Sequence, residues 1–237
     1  MTIDTSIEIA KIESWHLRFE GGYWEQFDRG ADGAPRPRFE FHPGWQTVYA
    51  ADEEAILIRV TLVDGNQGWG ETNCSVGPEV IGLILSNLVS EMVVGREFES
   101  PRHLWDFLYD AQRGRGYHSG FWLDALAGLD IALFDAVGRR NQLPAHQLLG
   151  PPVRDSLPIY LSGILRPTIE GRIAHANEWI DNGLQGTKLF LTPDLDECLK
   201  EIQALQTGCP DMQRWMVDMS WMLSLDVAIT AKQAFHD

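Results

Sequence analysis

Basic residues are scarce in this sequence. Its 237 residues include 19 lysines and arginines against 34 aspartates and glutamates, which gives a formal net charge of −15. The basic residues form no run along the chain. A strongly negative protein repels phosphate-rich partners over long range, so we expect neither a nucleic acid nor an anionic membrane as a partner.

Long apolar runs and paired cysteines are also absent from the sequence. The stretch MTIDTSIEIAKIE has no basic segment followed by an apolar core, and no apolar run approaches the ~20 residues that cross a bilayer. The cysteines Cys74, Cys198 and Cys209 are widely spaced and form no CxxC pair, which is typical of reduced thiols. We therefore expect a soluble, cytoplasmic protein without a membrane-spanning segment.

The start of the chain predicts a small antiparallel sheet. Hydrophobic residues make up 44% of the sequence, enough for the core of one large domain or two modest ones. Residues 6–19 and the runs EAILIRVTL and GWGETNC read as strands, and Asp64-Gly65 predicts a hairpin turn between the last two. Residues 21–45 fit neither the helix nor the strand period, so they predict a long irregular loop.

Helices follow this sheet in the sequence. One helix is predicted over 78–95, and a second begins after Ser100, which is a plausible cap before Pro101. The run 121–140 is apolar nearly all round and therefore predicts a buried helix. Residues 143–155 predict a linker into another layer of the fold.

Strands and helices alternate strictly from Ser156 onwards. The predicted strands are 156–163, 185–191 and 214–220, and the predicted helices are 168–183, 194–208 and 224–237. This order is typical of βα units that form a parallel sheet. Because a closed barrel of eight units needs about 250 residues, three units leave the sheet incomplete. We expect either a fragment or completion by another chain.

Two charged residues stand late in neighbouring strands of this series, Lys188 and Asp218. Active sites of parallel sheets and barrels lie at the carboxyl ends of the strands. One interpretation is an internal ion pair between these two residues. The other makes Asp218 a ligand of a hard divalent cation, because Mg²⁺ prefers oxygen ligands, and makes Lys188 a group that polarises or deprotonates a substrate.

Several motifs resemble the mandelate racemase and muconate-lactonizing branch of the enolase superfamily. They are GWGE at 68–71, LDIALFDAVGRRNQLPAHQLLG at 129–150, GLQGTKLFL at 183–191 and VDMS at 217–220. The resemblance implies an α+β capping domain over residues 1–150. It also implies that residues 151–237 are the first three βα units of a modified (β/α)₇β barrel, truncated after the third. Members of the family bind Mg²⁺ and abstract the proton α to a carboxylate.

The resemblance also implies roles for individual residues. Asp218 matches the first metal-ligand carboxylate, and Lys188 matches the first lysine of the Lys-x-Lys motif. The second lysine, usually the base, is replaced by Phe190, and an asparagine that often follows the metal ligand is replaced by Ser220. The other two metal ligands and a His-Asp dyad belong to strands of the family that lie beyond Asp237.

A set of aromatic and polar residues completes the predicted site. In the family the loop that corresponds to residues 20–45 closes over the substrate, so we expect Tyr23, Trp24, His42 and Trp45 to bind substrate together with Ser220 and Trp221. Packing of the aromatic side chains against the rest of the fold is the alternative for each of them.

The acidic residues outside the strand ends are expected to be structural. Glu71 in GWGE is predicted to be a buried anchor of the hairpin. Asp124, Asp130 and Asp135 lie at spacings that do not stack on one face of a helix, and we expect them to pair with basic groups such as Arg139 or to cap loops.

The family resemblance implies a Mg²⁺-dependent enzyme that abstracts the proton α to a carboxylate of a small sugar acid or hydroxy acid, with dehydration as the expected outcome. Racemisation or epimerisation is an alternative. So is a catalytically silent or truncated homologue, because Phe190 cannot act as a base and the later ligands are missing. The family resemblance further implies a homo-oligomer.

Overall fold

The computed structural model describes residues 3–19, 37–42, 46–73, 76–151, 153–190, 194–219 and 223–235. It divides into two compact units. The first unit contains Met1–Gly22 and Ala50–Asp155, and the second contains Tyr23–Tyr49 and Ser156–Asp237. Each unit has its own buried apolar cluster.

The first unit is built on an antiparallel sheet. Its strands are β1 (Ile7–Phe19), β4 (Glu53–Leu62), β5 (Gln67–Asn73) and β6 (Glu97–Phe98), in the order β5-β4-β1-β6. The predicted hairpin between β4 and β5 is confirmed. Gly65 takes a left-handed φ of 88°, and Asp64 Oδ1 accepts from the amide of Asn66 at 2.9 Å. A turn with such a φ favours glycine because a side chain there would be strained.

A second, two-stranded sheet joins β2 (Phe39–His42) to β3 (Thr47–Ala50). The prediction of an irregular loop over 21–45 is therefore wrong for 39–42. Phe39, Glu40 and Phe41 alternate aromatic and charged side chains, which is a strand pattern. The glycines and prolines on either side of this short run conceal its period. Residues 20–36 and 43–45 lie outside the described part of the chain.

The helices of the first unit cover one face of its sheet. They are α1 (Pro78–Ile84), a π-helical segment (Leu85–Val89), α2 (Ser90–Val93), α3 (Pro101–Arg113), α4 (Phe121–Asn141) and α5 (Ala145–Leu148). The predicted cap is confirmed, since Ser100 Oγ accepts from the His103 amide at 3.1 Å. The short helix α5 lies in the segment predicted to be a linker, where Pro144 pre-sets the backbone at its first turn.

Helix α4 is buried, as its apolar sequence predicts. Leu126, Leu129 and Leu133 are at most 1% exposed, and each side chain of this kind contributes roughly 1.5–3 kcal/mol by leaving water. The helix lies directly against β5 because both elements use small residues at the contact. A methyl group added to Gly70 would lie 2.1 Å from the carbonyl oxygen of Gly128. Glycine in GWGE therefore allows helix and strand backbones to touch.

The second unit contains parallel strands, each followed by a helix. In chain order these elements are β7 (Leu161–Ser162), α6 (Ile169–Asp181), β8 (Gly186–Phe190), α7 (Leu195–Gly208), β9 (Arg214–Asp218) and α8 (Leu225–Ala234). Their apolar cluster lies between sheet and helices, where Leu189, Ala176 and Leu205 are buried. The alternation predicted from the sequence is present in these residues.

Strand β7 is much shorter than the predicted strand 156–163. Leu161 pairs with Thr187, the second residue of β8. Residues before Tyr160 would therefore extend beyond the start of β8, and Leu157 and Ile159 are 75% and 76% exposed. An apolar pattern without a neighbouring strand does not form a ladder.

Among the described residues, no helix has the length and apolar character needed to cross a membrane.

Candidate active site

The two parallel strands β8 and β9 present different side chains on their two faces. Thr187 and Leu189 are buried, and Leu189 packs in the cluster beneath the helices. Lys188 and Phe190 are half-buried on the opposite side, because successive side chains of a strand alternate between faces. We call this side the open face; the register places Ser162, Lys188, Phe190, Met216 and Asp218 on it.

Lys188 and Asp218 meet on the open face. The register pairs Phe190 with Asp218 and Lys188 with Met216, so the two charged residues are diagonal neighbours. The Lys188 Nζ atom lies 3.0 Å from Asp218 Oδ2, and the two side chains are 24% and 34% exposed. The ion pair, one of the two interpretations of the sequence, is present in the structure. Its polar atoms remain within reach of a small molecule from solvent.

Phe190 adds a second contact to the lysine. The Lys188 Nζ atom lies 4.6 Å from the centroid of the Phe190 ring, which is within the range of a cation–π contact. The ring also approaches the backbone of Gly163, where an added methyl group would lie 3.0 Å from Phe190 Cε2. The Gly163 amide donates to the Lys188 carbonyl oxygen at 2.8 Å. Strand end, ring and ammonium thus form one packed group.

The residues of the open face fit Mg²⁺ only in part. Asp218 supplies a carboxylate oxygen, the type of donor that Mg²⁺ prefers. Among the residues that the structure describes, however, no group of three His, Cys, Asp or Glu side chains could hold a metal ion. One carboxylate does not make a magnesium site, so the assignment of Asp218 as a metal ligand stays a prediction.

Most residues predicted to bind substrate fall outside the described part of the chain. Tyr23, Trp24, Trp45, Ser220 and Trp221 belong to the residues that the structure does not describe. His42 is the last residue of β2, and its side chain also lies outside the description. Their assignment therefore remains a prediction.

Among the acidic residues of the first unit, Asp135 has the predicted structural role and Glu71 requires a correction. Asp135 Oδ2 accepts from Arg139 Nε at 2.8 Å, as predicted, and also from the Trp69 amide at 2.9 Å, which anchors β5 to α4. Glu71 is exposed, so its predicted burial is wrong. The reason is the strand period: Gly70 faces α4, and the next residue therefore faces solvent.

Asp130 on α4 is a half-buried carboxyl group with a raised pKa. Burial raises the pKa of this carboxyl to about 6, and the nearby Arg102 guanidinium opposes that change. Asp130 lies beside Trp69 and Ile131 in a shallow groove of about 600 Å³ on the first unit. This group is therefore half neutral near pH 6 in the folded protein.

One polar pair of the first unit escaped prediction from the sequence. The side chain of Glu54 is fully buried, and its Oε2 atom lies 2.7 Å from His16 Nε2. Glu54 shares the buried phase of β4 with Ile56 and Ile58. A carboxylate in that phase needs a hydrogen-bonding partner, and this is the signal that could have revealed the pair.

Comparison with known proteins supplies the family. A protein-family model described as "Mandelate racemase / muconate lactonizing enzyme, N-terminal domain" matches residues 37–150. A crystal structure of a member of the enolase superfamily from Agrobacterium tumefaciens is 31% identical and covers 97% of this chain with a TM-score of 0.83. The chain belongs to the mandelate racemase and muconate-lactonizing branch of the enolase superfamily. The antiparallel sheet of this chain and the helices that cover it are therefore the N-terminal capping fold of the family. The barrel of the family is only partly present in this chain.

Curated relatives of this enolase-superfamily chain are enzymes of sugar-acid metabolism by name. D-galactarolactone cycloisomerase of Agrobacterium fabrum is 29% identical over 180 residues, which are 74% of this chain and 46% of the relative. A putative L-rhamnonate dehydratase of Caldivirga maquilingensis is 33% identical over 109 residues, 46% of this chain and 26% of the relative. The match to the crystal structure covers 59% of that protein. The matched residues thus span between 26% and 59% of the length of these relatives.

Proposed function

We propose that the protein acts on a small sugar acid or hydroxy acid, with Mg²⁺, by abstracting the proton α to the carboxylate. The observation that carries the proposal is the meeting of Lys188 and Asp218, 3.0 Å apart, on the open face of an enolase-superfamily sheet. In parallel sheets and barrels the carboxyl ends of the strands are the place where substrates bind.

The proposal gives Asp218 and Lys188 complementary roles. Asp218 would be one of the ligands that hold Mg²⁺, and the bound ion would supply positive charge next to the substrate carboxylate. Lys188 would donate a hydrogen bond to an anionic or hydroxyl oxygen of the substrate as that oxygen gains charge. Tyr23, Trp24, His42, Trp45, Ser220 and Trp221 are proposed to line the pocket around it.

Phe190 restricts the choice of base. A phenyl ring cannot accept a proton, so the position that carries the second lysine in the resembled motif has no basic function here. A racemase that uses one base on each face of the substrate is therefore less well supported than a reaction with one base. The proposed base is a group other than Phe190, on another strand.

Dehydration is the proposed outcome. Removal of the α proton and loss of the neighbouring hydroxyl group as water leave an enol, which gains a proton on carbon to become a 2-keto acid. Cycloisomerisation is the second candidate, because the relative that matches 74% of this chain is named a cycloisomerase. A racemase or epimerase of the same family remains an alternative, since each of these reactions begins with the same proton abstraction.

The proposed setting follows the sequence predictions. Residues 1–150 would form the capping domain, and 151–237 the first three βα units of a (β/α)₇β barrel. The charge of −15 supports a small-molecule partner over nucleic acid or membrane. A cytoplasmic location and a homo-oligomer complete the proposal.

The test uses deuterium exchange. The protein is incubated in D₂O with Mg²⁺ and a panel of sugar acids, their lactones and other hydroxy acids, and the products are analysed by mass spectrometry and NMR. Dehydration removes the mass of one water, whereas cycloisomerisation, racemisation and epimerisation conserve the molecular formula apart from deuterium. We expect deuterium on the carbon next to the keto group of a dehydration product, because the α carbon itself becomes the keto carbon, and on the α carbon of exchanged substrate or of a racemised or epimerised product. A chelator should abolish turnover.

Two variants connect the test to the site. Asp218→Asn should raise the Mg²⁺ concentration needed for turnover because it weakens a proposed ligand, and the exposed Asp211→Asn serves as the matched control. Absence of exchange with every acid in the panel would overturn the proposal in favour of a catalytically silent homologue that keeps the fold for binding or assembly. Turnover that persists unchanged in the chelator would overturn the magnesium part alone.

A further inference from the structure

The Lys188 ammonium has two neighbours on the open face. Asp218 Oδ2 lies 3.0 Å from Nζ, and the centroid of the Phe190 ring lies 4.6 Å from the same atom. A carboxylate that binds a divalent cation has less charge to offer a lysine, because the ion's charge dominates its surroundings. The Phe190 ring is not a ligand of the divalent cation, so its contact with the Lys188 ammonium is not weakened when the cation binds.

We propose that Phe190 is a positioning residue that keeps the Lys188 ammonium at the open face when Asp218 binds a cation. The part of this statement that concerns the cation rests on the proposed function. Phe190 would not touch the reacting atoms. It would hold the donor that does.

The backbone around Gly163 supports a fixed position for the ring. Gly163 has a left-handed φ of 85°, and a side chain there would press on the ring, with distances of 3.0 and 3.1 Å from its Cβ position to Cε2 and Cδ2. Contacts of this length are tighter than ordinary van der Waals packing. Glycine therefore leaves the space that the ring fills, while its amide holds the strand through the Lys188 carbonyl oxygen.

A spectroscopic test can read this position directly. The sequence contains four lysines, Lys11, Lys188, Lys200 and Lys232, so labelled lysine gives few side-chain signals, and Lys188→Met assigns the one of interest. Protons that lie over the face of an aromatic ring resonate upfield. We expect the terminal methylene of Lys188 to lie upfield of the same group in the other lysines.

Two substitutions of Phe190 distinguish the effect of its aromatic ring from the effect of its size. Phe190→Leu should abolish the upfield shift, whereas Phe190→Tyr should retain it because the ring face is kept. Phe235→Leu is the matched control, since Phe235 is a half-buried phenylalanine of the same unit that packs on the helix-side cluster. Gly163→Ala should reduce the shift by displacing the ring.

Titration with MgCl₂ and the variant Asp218→Asn test whether the position of the ammonium depends on its ion pair with Asp218. The upfield shift should persist in both, because the ring still holds the ammonium. If the shift is unchanged in Phe190→Leu, or disappears in Asp218→Asn or with MgCl₂ while Phe190 is intact, the proposal is overturned. The Phe190 comparison needs no turnover, so a failure of the proposed function gives a different result from a failure of the positioning role.

A kinetic measurement extends the test to any sugar acid that the protein converts. Phe190→Leu should raise KM by about two- to fivefold, the value of one accessible cation–π contact, and Phe190→Tyr should restore it. An equal loss in Phe190→Leu and Phe190→Tyr would contradict a role of the ring face.

Discussion

The contact between β5 and α4 in the first unit joins backbone to backbone, whereas the contact between Lys188 and Asp218 in the second unit joins opposite charges. Gly70 and Gly128 bring β5 and α4 together without side chains, and the surrounding leucines are almost fully buried. Lys188 and Asp218 meet on a half-exposed face. The first arrangement tolerates little change and carries little chemistry. The second keeps charge accessible, and the parallel strands beneath it hold that charge in place.

The largest effect should follow from a single methyl group in the first unit. Gly70→Ala places Cβ 2.1 Å from the Gly128 carbonyl oxygen, and neither backbone can move without separating strand from helix. We expect a loss of about 3 kcal/mol or more in the free energy of unfolding, measured by urea denaturation. Gly114→Ala, where no atom lies within 4 Å of the new methyl group, is the control. Equal stability of the two variants would contradict the backbone contact.

The second unit should lose activity at a much smaller cost in stability. Lys188→Met removes the ammonium from the open face, and we expect turnover of an accepted sugar acid to fall about a hundredfold, the usual result of deleting one charge-stabilising donor. The exposed Lys200→Met on α7 is the matched control. Unchanged kinetics in Lys188→Met would show that the pair is only structural, and the contrast between the two units would then disappear.

The buried pair of the first unit tests the same contrast with charged groups. His16→Ala leaves the fully buried Glu54 side chain without the imidazole at 2.7 Å. We expect a loss of about 1–3 kcal/mol in the free energy of unfolding, the cost of removing one hydrogen-bonding partner from a buried carboxylate. The exposed His118→Ala, in the loop before α4, is the control. Restoration of stability in the double variant His16→Ala, Glu54→Leu would locate the cost in the carboxylate.

The smallest expected effect depends on pH and concerns Asp130. Burial raises its folded pKa to about 6 from 3.8, so the folded state binds a proton more tightly than the unfolded chain. Its contribution is therefore favourable at low pH and is lost as the pH rises from about 4 to 6. Asp130→Asn should stabilise the protein by about 1 kcal/mol at pH 7 after allowance for solvent screening, and by little at pH 4. Urea denaturation at both pH values, with Asp110→Asn as control, measures this difference.

Periodicity predicted most elements of the fold because burial repeats regularly along them. The hairpin β4–β5, the buried helix α4 and the alternation from α6 to α8 each follow one pattern over several residues. The prediction was wrong where the presence or absence of a neighbouring strand decides whether a segment becomes a strand. Residues 39–42 form a strand within a segment rich in turn residues, and residues 156–159 form none because β8 begins too late to pair with them.

The candidate site was predicted in part for the same reason. The meeting of Lys188 and Asp218 follows from two strands with the same phase, and the structure confirms their contact. The position of Phe190 in the sequence revealed the loss of a base, but not the ring–ammonium contact, because the latter depends on rotamers and on the space beside Gly163. His16 and Glu54 were missed because their pairing joins positions 38 residues apart.

The alternation along β8 has an evolutionary consequence. Thr187 and Leu189 are buried inside the unit, while Lys188 and Phe190 lie on the open face, where the proposed substrate would bind. Substitutions at the even-numbered positions therefore alter the open face, while the buried contacts of Thr187 and Leu189 stay in place. A sequence built on such strands can change its surface chemistry by single substitutions.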